Sequence, residues 1–448
     1  MGALQQYLDL YDAHRGMIDA GGARPLNSLR PAAREALAKH GLPKAGSENY
    51  ENIDLDTMLA PDYGLNIDRI PLDVSAAPTF RCDVPMITTA PAICINDALQ
   101  PLPEQLAVSL PEGVTLCSLR QRALDYPEEI EEYYGRIADP DNPLVALDTM
   151  LAQDGLYLRV ARGVRLEQPL QLVNILSAAI PLMAVRRVLI VMEPDSEASL
   201  LVCDHSQRSD IGLLSLQTIE IHVGRGAHFE YYDIEESSES TSRISTLWLR
   251  QEADSYAKID GITLFNGRTR NEYYCRFSGE NASLRLMGMG IEDSDSVAST
   301  YTRIDHQKPR CHSNELFKYS VEGNARAEFT GLIYVAPGAV KTEAYQANRN
   351  LVGAPTAKMF SKPQLEIYND DVKCSHGTAI GQLDEMQVFY MRTRGLSEAT
   401  ARLLLRQAFM ADVIDGVDIE SLRERLRHLV ECRFAGAESA CSSCKLKV

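Results

Sequence analysis

Apolar side chains recur at helical spacing near both ends of the chain and in short strand-like runs between them. Leu4, Tyr7, Leu8 and Tyr11 repeat at three and four residues, which predicts an amphipathic helix at the start. A second helix fits Pro31 to His40, with Gly41 as its stop and Pro43 just beyond. From Pro61 to about Leu119 prolines are frequent and the periodicity is weak, so loops and short strands are expected. Pro127 to Ala138 predicts an acidic helix. The turn from Asp139 to Pro143 that follows it is the first expected boundary.

From about Gly155 to Asp384 the pattern changes to short β-rich runs broken by Gly, Asn, Asp and Pro. A loose repeat runs through them: a polar or glycine turn, then alanine, one residue, and a β run. Its alanines are Ala198, Ala227, Ala257, Ala282 and Ala327. Steps close to 30 residues suit the coils of a β-solenoid, each stacking its inward apolar side chains on the next. The longer step from Ala282 to Ala327 would be a coil with an insertion, or a skipped signal. A β-sandwich is the competing architecture for evenly spaced strands, but one turn motif recurring through the whole stretch favours the solenoid.

The end is helical again. Ser397 is a suitable N-cap, and Ala401, Leu404, Leu405, Ala408, Phe409 and Val413 form one stripe that Gly416 closes. Leu422, Leu426, Leu429 and Val430 form a second. The two stripes either pack together as a hairpin or present Leu404, Leu405, Phe409, Leu422 and Leu426 to a partner. Two helices alone have little core, so another chain is expected to cover part of this surface. The expected division is a helical and mixed domain over 1–140, a β-solenoid over 141–385 and a helical domain over 386–448.

Charge narrows the function classes. The chain of 448 residues carries a net charge of −17, with basic residues scattered apart from Arg423, Arg425, Arg427 and Arg433. Such a surface repels phosphate backbones and argues against nucleic-acid binding. The first residues lack the basic and apolar regions of a secretory signal, and Gln6 stands where a myristoylation site wants Ser or Thr. The most apolar stretch, Leu170 to Val185, is too short and too polar to span a bilayer. A cytosolic location is expected, with its ten cysteines mostly free thiols. One C-x-x-C pair, Cys441 and Cys444, stands near the end of the sequence. A structural zinc site needs four ligands, and no second pair stands beside it. The βαβ setting of a redox pair is missing too.

No phosphate-binding G-x-x-x-x-G-K-[ST], G-x-S-x-G or H-E-x-x-H occurs. His205, His222 and His228 fall in expected strands and suit coil positions. Cys311 and His312 are adjacent and would point to opposite faces. The strongest chemical signal is Cys374 two residues before His376, with Asp370 and Asp371 just upstream. In a strand, thiol and imidazole at this spacing share a face, and together they suit iron, zinc or copper(I). A chance spacing of a buried thiol is the alternative.

The block P-Q-L-E-I-Y-N-D-D-V-K-C-S-H-G-T-A-I-G-Q-L-D around this pair, followed by F-Y-M-R-T-R-G, closely resembles the signature of the SufB/SufD family of the SUF iron–sulfur cluster assembly scaffold. R-A-E-F-T-G-L-I-Y-V, from Arg326, and K-T-E-A-Y-Q-A-N-R-N-L, from Lys341, are similar to the family's preceding coils. G-L-P-K-A-G-S-E-N-Y, from Gly41, is similar to an N-terminal segment that usually carries Trp where Tyr50 stands. K-C-S-H-G resembles the SufD branch, since SufB typically lacks this Cys-Ser-His. The resemblance implies a right-handed parallel β-helix between helical domains and a non-catalytic scaffold. It also implies SufB and the SufC ATPase as partners, with the C-terminal helices at SufC. A transient iron–sulfur cluster would be built at the SufB interface, with none held by the isolated chain. His376 would contribute to that site and ligate metal transiently, with Cys374 as the neighbouring thiol. The alternatives are a SufB-like subunit, a β-helix polysaccharide-active protein, or a structural homodimer with no cluster chemistry; an exposed terminal coil would favour pairing of the isolated chain with itself through strand edges.

Overall fold

Sixteen strands, from β4 (Asp154–Val160) to β19 (Val372–Gly381), wind as a flattened solenoid in this computed structural model. The structure describes residues 2–70, 91–206 and 210–436. Even-numbered strands form one parallel sheet and odd-numbered strands the other, so two strands make one coil and the solenoid has about eight coils. Register steps between coils run from 26 residues (Ser242 beside Arg268) to 32 (Arg326 beside Lys358). The solenoid is therefore the architecture found, and the sandwich is not.

The alanine signal mixes positions. Ala198 and Ala257 share one inward column, through Phe229. Ala227 and Ala282 are buried at the turn before a strand, and Cys311 stands in the next such place. Ala327 belongs to the opposite sheet, beside Ala298. The long step is thus about a coil and a half, with a cysteine at the skipped corner rather than an insertion.

The outer face of the even sheet is covered by the N-terminal region. α1 (Ala3–Gly21), α2 (Arg24–His40) and α3 (Leu55–Leu59) pack with Met183, Val185, Leu214, Leu216 and Ile244 of that sheet. α2 starts seven residues earlier than Pro31 suggests. Pro25 sits in its first turn, where a missing N–H costs nothing, and Pro31 lies inside the helix. Between residues 91 and 125 lie β1 (Ala92–Ile95), β2 (Ala98–Leu99), α4 (Glu104–Ser109), β3 (Val114–Ser118) and α5 (Leu119–Asp125). β1 and β3 extend the two sheets, so the solenoid begins inside the N-terminal region. α6 (Pro127–Tyr133) is shorter than the expected acidic helix. Beyond it the amides of Gly135, Ile137 and Ala138 donate to the buried carboxylate of Glu220, at 2.9–3.1 Å, which draws the chain out of helix. α7 (Pro143–Leu151), after the turn at residue 139, packs with the first helices.

The C-terminal helices α8 (Glu385–Thr393), α9 (Glu398–Ile414) and α10 (Glu420–Phe434) follow the last coil. Ser397 caps α9 by accepting from the amide of Thr400 at 3.1 Å. α9 and α10 lie on the outer face of the odd sheet. Met410, Val413, Leu422, Leu426, Leu429 and Val430 pack there against Tyr232, Ile262, Met287 and Met289. Two buried lysines pin the seam from the sheet side. Lys258 donates to the Gly416 carbonyl and to Asp418 at 2.7 Å, and Lys318 donates to the Phe409 carbonyl at 2.6 Å. Among the described residues no helix is long and apolar enough to cross a membrane.

Candidate functional site at the open coil

The last coil is made by β18 (Lys358–Ile367) and β19, each bonded to the preceding coil on one side. β17 (Thr342–Val352) lies beneath β19 and sets its register: Cys374 stands beside Ala344, and His376 beside Gln346. Those neighbours identify the face. Ala344 and Gln346 are buried in the solenoid interior, in the columns that pass through Ser313 and Glu315 one coil earlier and Leu284 and Leu286 two coils earlier. Cys374 and His376 therefore share the inward face of a coil with no further coil stacked on it among the described residues. Cys374 is half-buried and His376 exposed. The spacing argument from the sequence holds here, because β19 is a regular strand.

Burial pushes the Cys374 thiol above its ordinary pKa, opposed by a backbone hydrogen bond from Ala344. A metal ion arriving with its charge would reverse that bias and favour the thiolate. Beneath His376, Gln346 donates to Glu315 at 2.7 Å. Burial pushes the Glu315 carboxyl up to about 7. Beside the pair, Ser361 and Thr378 bridge the two walls of the coil at 2.7 Å. Asp370 and Asp371 sit in the turn before β19, where the Asp371 carbonyl accepts from the Lys341 amide at 2.6 Å. Among the described residues no three His, Cys, Asp or Glu side chains converge as a metal site. Two donors at an open end, one soft and one borderline, leave the remaining positions of a metal to groups from elsewhere.

The other histidines hold local roles. His228 lies 3.4 Å from Glu230, and His222 accepts from Arg250 at 3.4 Å. Burial, then Arg250, takes His222 down to about 4. Cys311 is buried while its neighbour His312 lies beside Tyr345. Cys441 and Cys444 lie outside the described residues.

The five apolar residues expected at a docking surface separate. Leu422 and Leu426 are 1% and 0% exposed in the seam with the odd sheet and are not surface residues; the sheet supplies the cover that the hairpin alone lacks. Leu405 and Phe409 are half-buried, and Leu404 is exposed. The open apolar surface instead centres on α8, where Met386, Phe389 and Tyr390 are 71%, 61% and 59% exposed. Tyr368 and Ile380 are exposed on the last coil. The signal in the sequence was present: M-Q-V-F-Y-M is apolar on nearly every side, yet only Val388 of α8 is buried.

Residues 1–172 match the model of the SufBD protein N-terminal region, and residues 175–409 match that of the SufBD core domain of SUF system FeS cluster assembly. An iron-sulfur cluster assembly SufBD family protein of Synechocystis sp. is 28% identical over 420 residues, 91% of each chain. The iron-sulfur cluster assembly protein SufD of Escherichia coli is 30% identical over 295 residues, 65% of this chain and 69% of its own. SufD of Bacillus subtilis is 24% identical over 326 residues, 71% of this chain and 74% of its own. The two models meet near residue 173, inside the solenoid, so the helical cover and the coils are matched together. The chain belongs to the SufBD family of iron–sulfur cluster assembly proteins.

Proposed function

We propose that the chain is a non-catalytic scaffold subunit of a SUF complex in the cytosol, with SufB on its open coil and the SufC ATPase on its C-terminal helices. The observation that carries this reading is the inward-facing pair Cys374 and His376 at an uncovered coil end. Iron and sulfide are the cargo. His376 supplies a ring nitrogen, Cys374 a thiol, and SufB the remaining ligands across the interface. The exposed face of α8 and Leu404 of α9 suit SufC, because they lie beside the seam that α9 and α10 make with the odd sheet. Motion imposed on these helices would pass through Lys258 and Lys318 to the strands beneath. In the isolated chain the free edge of β19 would pair with a second copy, as unpaired edges do.

The test is anaerobic cluster reconstitution on the complex carrying His376→Ala. Cluster yield should fall while the complex stays assembled; an undiminished yield removes His376 from the site. Phe389→Glu combined with Leu404→Glu should abolish copurification of SufC. Retention of SufC would move its docking surface elsewhere.

A further inference from the structure

β15 (His312–Val321), β17 and β19 lie in register, so Glu315, Gln346 and His376 form one inward column over three successive coils. Adjacent strands are about 4.8 Å apart, which sets His376 directly over Gln346. Gln346 is 3% exposed and Glu315 fully buried. The Gln346 Nε2 donates to the Glu315 Oε2 at 2.7 Å. The other polar atom of the amide, Oε1, is buried and has no hydrogen-bond partner among the described residues. A buried amide oxygen left unpaired is costly and uncommon in folded chains.

The amide is held in one orientation. An ionised carboxylate only accepts, so Glu315 takes the NH2 end, and the planar amide turns Oε1 away from it. On the opposite sheet, Gly331 of β16 (Arg326–Val335) makes the room: a Cβ there would collide with the Gln346 Nε2. Two residues distant from β19 in sequence thus fix the amide beneath it. A histidine that ligates metal through one ring nitrogen carries its proton on the other, and that N–H is ordinarily held by an acceptor behind it. The Gln346 Oε1 is an acceptor still lacking its donor, one strand spacing below His376.

We propose that Gln346 is a positioning residue for His376: its Oε1 accepts the inward ring N–H, which leaves the outward ring nitrogen unprotonated and free for iron. Glu315 and Gly331 act through Gln346 by holding its amide. The ring proton stays on its nitrogen throughout, and no group is oxidised or reduced. This inference rests on the reading of His376 as a ligand and concerns how that ligand is aimed.

The test uses the full-length chain, reduced, free of metal and labelled with 15N-histidine. Ring nitrogen shifts are read by NMR at pH 8, well above the ordinary imidazole value of about 6.5. His376→Ala locates the signals. In the parent, His376 should be a single neutral tautomer. Gln346→Met, similar in shape but without the acceptor, should give a mixture of both tautomers, and Gly331→Ala should do the same. Glu315→Gln keeps an acceptor for the Gln346 Nε2 and should retain the parent tautomer. Circular dichroism of each variant should match the parent. In the complex, Gln346→Met should lower the anaerobic cluster yield about 10-fold, the lower end of what a lost outer-sphere partner costs. A tautomer mixture in the parent, or the parent tautomer surviving in Gln346→Met, would overturn the role. So would an undiminished cluster yield in Gln346→Met where His376→Ala lowers it. If His376→Ala itself leaves the yield unchanged, the ligand reading fails, and the tautomer measurement still decides whether Gln346 holds the ring.

Discussion

The solenoid interior is not uniformly apolar, and single residues carry much of its specificity. Arg243 is buried between the carboxylates of Asp204 at 2.7 Å and Asp233 at 2.5 Å, and it donates to Asn271 at 2.7 Å. Removing one partner of such a group strands the others in a low dielectric. Arg243→Ala should therefore cost about 3–5 kcal/mol, measured by urea unfolding. A loss below ~1 kcal/mol would mean that water reaches the carboxylates. Glu315 makes a pH prediction. Its carboxyl, at about 7 in the folded chain, holds its proton more tightly than the ordinary carboxyl at 4.5. The sign follows: its contribution is fully present below pH 4.5 and is lost as pH rises towards 7. The loss is on the order of 3 kcal/mol. Glu315→Gln should flatten the fall in stability across that window and leave the chain more stable than the parent at pH 8. Parallel pH profiles for parent and variant would count against the buried, protonated carboxyl.

At the scale of elements, the C-terminal hairpin shows how a correct stripe can be given the wrong partner. Leu422 and Leu426 have helical spacing and form one face, as the sequence predicts, but that face meets the odd sheet. Leu426→Ala should cost ~2–5 kcal/mol, as for other large buried side chains cut to alanine. Leu404→Ala, on the exposed side of α9, should change stability by no more than about 0.5 kcal/mol. Equal effects of the two substitutions in thermal unfolding would contradict the seam. α6 teaches the same lesson from the other direction. Its sequence favours helix up to residue 138, but Glu220, far along the chain, takes the amides at 135, 137 and 138. Local propensity cannot anticipate a competing acceptor some 85 residues away.

For the whole molecule, the important asymmetry is between a covered beginning and an open end. β1 and β3 close the first coils, whereas the last coil leaves the β18 and β19 edges, Tyr368 and Ile380 without cover in the described chain. Ile380→Lys places a charge on this edge, a substitution that discourages edge-to-edge pairing. Light scattering should then show less self-association of the isolated chain, with the monomer's circular dichroism unchanged. Unaltered association would shift the contact away from β19.

The sequence by itself determined the solenoid, its approximate coil length, the terminal helices and the shared face of Cys374 and His376. These depend on short-range geometry: alternation in strands, 3.6-residue spacing in helices, and a small residue at each turn. Tertiary structure alone decided that Arg186 and Arg187, adjacent in one strand, are both buried, one in the interior network and the other between Asp148 and Glu220. It also decided that Leu422 and Leu426 face a sheet. The physical reason is that a side chain's local period fixes the direction in which it points, while what it meets there is supplied by segments tens to hundreds of residues away.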